Sequence, residues 1–182
     1  MIILLVLLIA AVILFPYIKR AVDRVAFISE LKKLCALRRY RLKLLKPVAA
    51  IIKNFSDGYD LTVDTGDTVY AVKLWDVVYD RSSIVFGADR RVRSRRKIQD
   101  VFGDKNRKAH ILSEREIGVF PNFKAPVSEN RRTVCILAVK MSGSKMLYSD
   151  ENGTRELCPK DRLYGMFVLP RNSVTKLFGH TK

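Results

Sequence analysis

The chain opens with an uninterrupted apolar run. No charged residue occurs from Met1 to Ile18, and the first charges are Lys19 and Arg20. A helix of eighteen residues is about 27 Å long, close to the roughly 30 Å hydrocarbon core of a bilayer. Its apolar character extends all round the helix, unlike that of an amphipathic surface helix. The pattern predicts one N-terminal transmembrane helix over residues 1–18, which we call the N-terminal anchor.

A secretory signal peptide is the alternative explanation for this run. Such a peptide carries Lys or Arg before its apolar region and a small-x-small cleavage motif after it. Here the run starts at residue 2 and is followed by FPYIKR, which favours a retained anchor. The basic residues all follow the anchor, so the positive-inside rule predicts an external N-terminus and a cytoplasmic location for residues 19–182.

Apolar residues recur at helical spacing after the anchor. Val22, Val25 and Phe27 begin this series, with Lys and Arg between its members. The spacing predicts a long helix over about 21–44 with one apolar stripe, and Pro47 ends or redirects the chain. Residues 19–53 are therefore interpreted as a basic juxtamembrane helix and connector, with the helix packing on a following domain.

Alternating and continuous apolar segments predict a sheet in residues 54–182. Residues 59–65 and 68–75 alternate around a Thr-Gly-Asp turn and predict a hairpin, and 83–86 predicts a third strand. A β-branched run at 133–141 is typical of a central strand covered on both faces. Shorter strands and a final helix capped by Ser173 follow. The predicted fold class is α/β, with a mixed central sheet and flanking helices behind one transmembrane helix.

Charge is unevenly distributed along this chain, whose net charge is +16. Residues 19–53 carry eleven Lys or Arg against two acids, and residues 81–108 carry ten against three. Residues 54–80, between these blocks, carry six Asp against one Lys. The basic blocks supply the candidate anion-binding residues, which are Arg38, Arg39, Arg41, Arg90, Arg91, Arg93, Arg95, Arg96 and Lys97.

Two kinds of partner suit these basic residues, besides the plain alternative of a solvated face. Anionic lipid headgroups attract nearby Lys and Arg by about 1 kcal/mol each, which suits the block that follows the anchor. Nucleic-acid phosphates bind the same residue types with strongly salt-dependent affinity. The segment 90–97, interpreted as loop, is farther from the anchor and better placed for nucleic acid or another acidic partner.

The soft metal ligands are few. Cys35, Cys135 and Cys158 form no Cys-x-x-Cys pair, and only His110 and His180 could assist them. This set predicts neither a zinc site nor a disulfide framework, and free, mostly buried thiols in a reducing compartment are expected.

The hairpin carries the remaining candidate chemistry, with Asp60 on its first strand and Lys73 on its second. These two residues and the element order resemble the restriction-endonuclease-like superfamily, named for its PD-(D/E)xK motif. In members that cleave, the resemblance implies that the first-strand Asp and an acid two residues before the Lys bind Mg²⁺. It further implies that the Lys steadies the attacking water and that a helix Glu contributes, a position matched here by Glu30.

Ala71 occupies the place of the second acid in this pattern. Because Mg²⁺ is held by hard oxygen ligands, usually carboxylates, the substitution removes a ligand that metal-assisted hydrolysis needs. Asp64, on the same face as Asp60 in a regular strand, or Glu30 could replace it. The structural alternative is that the Lys73 amine pairs with Asp60 or Asp64.

Two hypotheses of function follow. The favoured one is a single-pass, membrane-anchored protein with a non-catalytic, cofactor-free cytoplasmic domain for binding or scaffolding, whose basic surface contacts anionic lipid or an acidic partner. The alternative is a Mg²⁺-dependent nuclease of the PD-(D/E)xK type that uses Asp60, Lys73 and a relocated acid.

Overall fold

The computed structural model describes residues 2–76, 82–97, 111–122, 124, 131–140 and 145–179, with the backbone alone at 2–13, 16, 49, 82, 96, 97 and 111–113. The helices are α1 (Ile2–Leu37), α2 (Pro47–Ile52) and α3 (Arg171–Gly179). The strands are β1 (Arg41–Leu44), β2 (Leu61–Asp64), β3 (Thr68–Asp76), β4 (Ser82–Gly87), β5 (Arg91–Lys97), β6 (Ile111–Val119), β7 (Arg132–Lys140), β8 (Met146–Asp150), β9 (Gly153–Glu156), β10 (Arg162–Leu163) and β11 (Met166–Pro170).

The strands form two mixed sheets. The six-stranded sheet has the order β1-β2-β3-β7-β11-β10, in which β3, β7 and β11 are parallel. The five-stranded sheet has the order β6-β5-β4-β8-β9. Strands β4, β5 and β6 lie between β3 and β7 in sequence, so the second sheet is built largely from an insertion between two neighbouring strands of the first. The fold is mixed α/β, with two sheets where the sequence predicted one.

Each face of the six-stranded sheet has its own core. Helices α1 and α3 cover one face, where Phe27, Leu31 and Phe178 join the strand residues Leu61, Val63, Val72, Leu74, Ile136 and Ala138. The other face packs on the five-stranded sheet through Trp75, Leu137, Ile84, Phe86, Val92 and Met146. Residues of alternating parity along β3 therefore enter different cores, as the period of two in a strand requires.

The predicted helix over 21–44 ends earlier, at Leu37. Arg39 adopts a left-handed conformation (φ 59°), and the Tyr40 N–H donates to Cys35 O while the Arg39 N–H donates to Ala36 O. These two bonds form a Schellman motif, which terminates a helix. The chain then continues as β1, because residues 41–44 pair with β2 in antiparallel register.

Two further expectations differ from the structure. Segment 90–97, interpreted as a loop, contains strand β5, which pairs with both β4 and β6. The last helix begins at Arg171, directly after β11, so Ser173 lies inside its first turn rather than capping it. In both places the nonlocal partner strands decide the backbone path.

The helical backbone of α1 is continuous from Ile2 through Pro16 to Leu37. Among the described residues, no helix is long and apolar enough to cross a membrane. The transmembrane helix over residues 1–18 and the boundaries at 19–53 and 54–182 stay predictions.

Candidate functional site

Asp60 and Lys73 lie in contact, and both side chains are fully buried. Extension of the β2–β3 register by one position sets the two residues opposite each other. The Lys73 Nζ donates to Asp60 Oδ1 at 3.2 Å, and the Leu74 N–H donates to Asp60 Oδ2 at 2.7 Å. Both oxygens of the carboxylate are thus occupied by donors from the hairpin itself.

Ser56 completes this buried cluster from the preceding loop. Lys73 Nζ also donates to Ser56 O at 2.8 Å and to Ser56 Oγ at 2.5 Å, and Ser56 Oγ donates to Asp60 Oδ1 at 3.0 Å. Burial lowers the pKa of the Lys73 amine below its ordinary 10.5, and the Asp60 carboxylate offsets part of that effect. A serine beside a lysine of lowered pKa is a known nucleophile arrangement, but Ser56 is itself buried.

The other two predicted acids lie elsewhere. Asp64 Oδ1 accepts the Gly66 N–H at 2.9 Å in the hairpin turn, and its Oδ2 accepts Arg131 Nη1 at 2.7 Å. The Gly66 N–H bond, followed by Arg131, lowers the pKa of Asp64. Asp64 lies four positions after Asp60, which is about 13 Å along a strand at 3.3 Å per residue. Glu30 is exposed on α1 and lines a different cleft, beside Lys140 and Asn172.

Ala71, at the position of the missing acid, is surrounded by packed side chains. Ala71 is fully buried in the apolar core between the two sheets. A carboxylate there would have to be buried among apolar neighbours, which is costly for a charge without a partner. Within the described residues, no group of three or more His, Cys, Asp or Glu side chains is placed to hold a metal ion.

A second buried charge cluster was not predicted from the sequence. Arg24 of α1, fully buried, bonds through its Nε to Asp76 Oδ2 at the end of β3, and Arg171 Nη2 donates to Asp76 Oδ1 at 2.5 Å. Arg24 also donates to Ala50 O at 2.8 Å, to Lys53 O at 3.0 Å and to the Asn54 side chain. This one guanidinium therefore joins α1, α2 and the six-stranded sheet. Its only sequence signal is an Arg on the apolar stripe of α1.

The first group of predicted anion-binding residues follows α1. Arg38 is exposed and donates to Gly179 O at 2.7 Å, while Arg39 terminates the helix in its left-handed conformation. Arg41 is exposed on the edge strand β1, opposite Asp64. Their charged groups remain at the surface, although two of the three residues also have structural roles.

The second group is largely paired within the sheet. Arg91, Arg93 and Arg95 alternate along β5, and Glu114 and Glu116 face them from β6, with Asp89 in the adjoining turn. The N–O distances of these ion pairs are 3.4–3.8 Å. Arg90 instead donates to Pro121 O at 3.1 Å and stacks on the Tyr164 ring. The side chains of Arg96 and Lys97 lie outside the described part. Strand pairing thus partly neutralises this block, a feature that the sequence pattern did not predict.

A cleft of about 550 Å³ lies outside the carboxyl ends of β7 and β11. Lys140 pairs with Asp23 across it, and Arg171 lines its floor. Two nitrogens of Arg171, Nε and Nη1, are buried and have no hydrogen-bond partner in the structure as described. Crevices at the carboxyl ends of parallel strands are common binding positions in α/β proteins.

The chain was also compared with protein-family models, with curated proteins and with solved structures. None of the three comparisons finds a match.

Proposed function

We propose that this chain is a single-pass, membrane-anchored protein whose α/β domain lies in the cytoplasm and serves in binding or scaffolding without catalysis. The uncharged run at residues 1–18 and the basic residues after it support the anchoring and the orientation. In this topology α1 joins the anchor to the domain, because Phe27, Leu31 and Cys35 of the same helix are part of the domain core.

The observation that carries the non-catalytic role is the closed Asp60–Lys73–Ser56 cluster. Every polar group in it is bonded to another member or to the backbone of the hairpin and its loop. Asp60 is fully buried and is the one carboxylate of the cluster, whereas metal-assisted hydrolysis needs carboxylate oxygens that can reach a metal ion and the substrate. The cluster is therefore assigned to holding the loop at residues 56–60 on the hairpin.

The basic surface is proposed to serve two partners at different distances from the membrane. Lys19 and Lys53 are exposed near the end of the anchor and suit anionic headgroups. Leu37 lies nineteen residues beyond Ile18 on α1, which is about 28 Å of helix. With α1 along the bilayer normal, that distance exceeds the Debye length of about 8 Å at physiological salt, so lipid charges are screened there. Arg38, Arg39 and Arg41 therefore suit a soluble acidic partner, nucleic acid included.

The relation to the restriction-endonuclease-like fold is part of the proposal. Its support is the hairpin of β2 and β3, the parallel pairing of β3 with β7, and a helix that precedes them. The five-stranded sheet lies outside that shared pattern. We propose that the six-stranded sheet with α1 is the equivalent unit, with the half-motif of Asp60 and Lys73 retained for stability.

The orientation is tested by the accessibility of Cys158, the exposed cysteine of the domain. In cells that express the full-length protein, a membrane-impermeant maleimide is expected to label Cys158 only after the membrane is permeabilised. The Cys158→Ser variant, which leaves the less accessible Cys35 and Cys135 in place, serves as the control. Labelling of intact cells that is lost in this variant would show that the domain lies outside.

The nuclease alternative is supported by the contact between Asp60 and Lys73. The full-length protein, incubated with duplex DNA and Mg²⁺, is expected to leave the DNA intact because a single buried carboxylate does not hold the ion. Cleavage that needs Mg²⁺ and disappears in a folded Lys73→Met variant would overturn the non-catalytic proposal. Lys33→Met, at an exposed lysine of α1, serves as a surface control in the same assay.

A further inference from the structure

A cleft of about 450 Å³ lies between α1, the end of α2 and strands β3, β4 and β6. Its wall is apolar and includes Phe55, Trp75, Ile84 and Ile117. Trp75 is 1% exposed, and its ring meets that of Phe55 edge-on at 4.7 Å between centroids. The volume is in the range typical of sites for small molecules, which are mostly apolar with a few placed polar groups.

The mouth of this α1–α2 cleft is cationic. Arg20 and the exposed Lys53 line the cleft together with Tyr17. Among the described residues, the one acid in its lining, Asp76, is already paired with Arg24. Arg20 Nη2 donates to Ile52 O at 2.5 Å, and its guanidinium lies 5.4 Å from the centre of the Tyr17 ring. Positive side chains at the mouth of an apolar cleft suit a ligand with an anionic head and a hydrocarbon body.

The cleft adjoins the predicted anchor. Tyr17 belongs to the uncharged run, and its neighbours Leu14, Phe15 and Ile18 are all more than half exposed. On the domain side, Val48 and Ile52 of α2 are also at least half exposed, which extends the apolar surface beside the mouth. An anchor that ends at Ile18 sets this mouth at the level of the lipid headgroups, where both hydrocarbon and phosphate are available.

We propose that the α1–α2 cleft binds one anionic glycerophospholipid of the surrounding bilayer. One acyl chain lies against Phe55, Trp75 and Ile84, and the phosphate lies at Arg20 and Lys53. The inference rests on the proposed membrane anchoring and adds a ligand to it. A bound lipid would hold the domain against the membrane and make its attachment depend on anionic lipid content.

Trp75 lines the cleft and is the only tryptophan in the sequence, so its fluorescence reports on the proposed acyl chain. The full-length protein is reconstituted into nanodiscs of phosphatidylglycerol, with either ordinary or dibrominated acyl chains. Bromine quenches tryptophan on close approach, so we expect the brominated lipid to cause a loss of Trp75 fluorescence. Brominated phosphatidylcholine at the same mole fraction is expected to cause a smaller loss, because its headgroup is zwitterionic.

Two matched pairs of variants test the site. Ile117→Phe fills the cleft and is expected to abolish the quenching, while Val119→Phe on the exposed side of the same strand is expected to retain it. Lys53→Gln is expected to weaken the preference for phosphatidylglycerol about fivefold, the factor that corresponds to roughly 1 kcal/mol per interfacial cation. Lys33→Gln, an exposed lysine on α1 away from the cleft, is expected to leave it unchanged.

The outcomes separate this inference from the membrane anchoring itself. Protein that fails to float with vesicles of the same lipid overturns both. Protein that floats but shows no quenching by brominated phosphatidylglycerol overturns the lipid site alone. Equal quenching in the wild type and in a folded Ile117→Phe variant also overturns it, because bromine would then reach Trp75 by another route.

Discussion

Replacement of Arg24 by methionine is expected to lower the free energy of unfolding by about 3–5 kcal/mol, the usual cost of removing one partner from a buried ion pair. The guanidinium is fully buried and binds Asp76 together with backbone carbonyls of α2 and its following loop. Its loss removes a donor from each of those carbonyls and, among the described residues, leaves Arg171 as the ion-pair partner of Asp76. The measurement is urea unfolding of the full-length protein in mild detergent, followed by Trp75 fluorescence.

The expected loss in Arg24→Met is large relative to the 5–15 kcal/mol stability of most domains, so this variant can fail to accumulate in the expressing cells. Arg24→Lys provides the graded comparison, since it keeps a cation near Asp76 but loses the planar fork that reaches several acceptors. We expect its unfolding midpoint between those of the wild type and Arg24→Met. Arg38→Met, at an exposed arginine with one hydrogen bond, is the control and should change the midpoint little. A loss in Arg24→Met no greater than that of the control would contradict the assigned role.

Replacement of Lys73 by methionine is expected to cost a similar amount, about 3–5 kcal/mol, because the Asp60 carboxylate would stay buried without its cation. Asp60→Asn alone leaves the ammonium buried and should also be strongly destabilising. The double variant removes both charges and is expected to lose about 2–3 kcal/mol less than the sum of the single losses. Unfolding measurements on the four proteins give this coupling. Strictly additive losses would show that the two side chains do not act as a pair.

The exposed pair Lys145 and Glu156 offers a comparison of the same chemical type, with an N–O distance of 2.7 Å. Its double-variant cycle is expected to show much weaker coupling, because solvent screens exposed charges and the side chains lose entropy on pairing. A buried pair that couples no more strongly than this surface pair would be inconsistent with the closed cluster.

The pH dependence of the Lys73 effect has a definite sign. The pKa of Lys73 in the folded protein is below its ordinary 10.5, so between these two values the unfolded chain binds the proton more tightly. Stability therefore rises with pH in that window, and the full cost of burying the ammonium is present below it. Burial raises the pKa of Tyr59 and Tyr164, which acts in the opposite sense from about pH 10 upward. The unfolding free energy of the wild type minus that of Lys73→Met cancels the contribution of the two tyrosines. We expect this difference to increase with pH between the folded pKa of Lys73 and 10.5.

The central strands could be predicted from the sequence because the local pattern of apolar and polar residues indicates which of their side chains are buried. The run predicted at 133–141 is β7 (Arg132–Lys140), and the predicted hairpin is β2 and β3 with small shifts at its ends. The contact between Asp60 and Lys73 also follows from that hairpin, since a two-strand register fixes which residues face each other. These features depend on residues close together in sequence.

Features that depend on distant partners were not predictable in the same way. The arginine-rich strand β5 has the composition of a loop, and it is a strand because its backbone pairs with β4 and with β6, which also carries Glu114 and Glu116. The end of α1 at Leu37 depends on a left-handed Arg39, a conformation that the residue type does not favour. The cluster of Arg24, Asp76 and Arg171 joins residues from the first helix, the middle of the chain and the last helix. A single sequence does not indicate which of many charged residues meet in this manner.

The first and last helices meet in one core, and this contact joins residues that are far apart in sequence. Phe27 and Leu31 of α1 complete their core only when Val174 and Phe178 of α3 are present, near the end of the chain. Contacts of such long sequence separation form late and slow folding. During synthesis the N-terminus emerges first, so in the proposed topology the anchor enters the bilayer while the sheets are still unmade. The domain would then fold as a nascent chain that is already attached to the membrane, and loss of α3 would leave α1 without the Val174 and Phe178 side of their shared core.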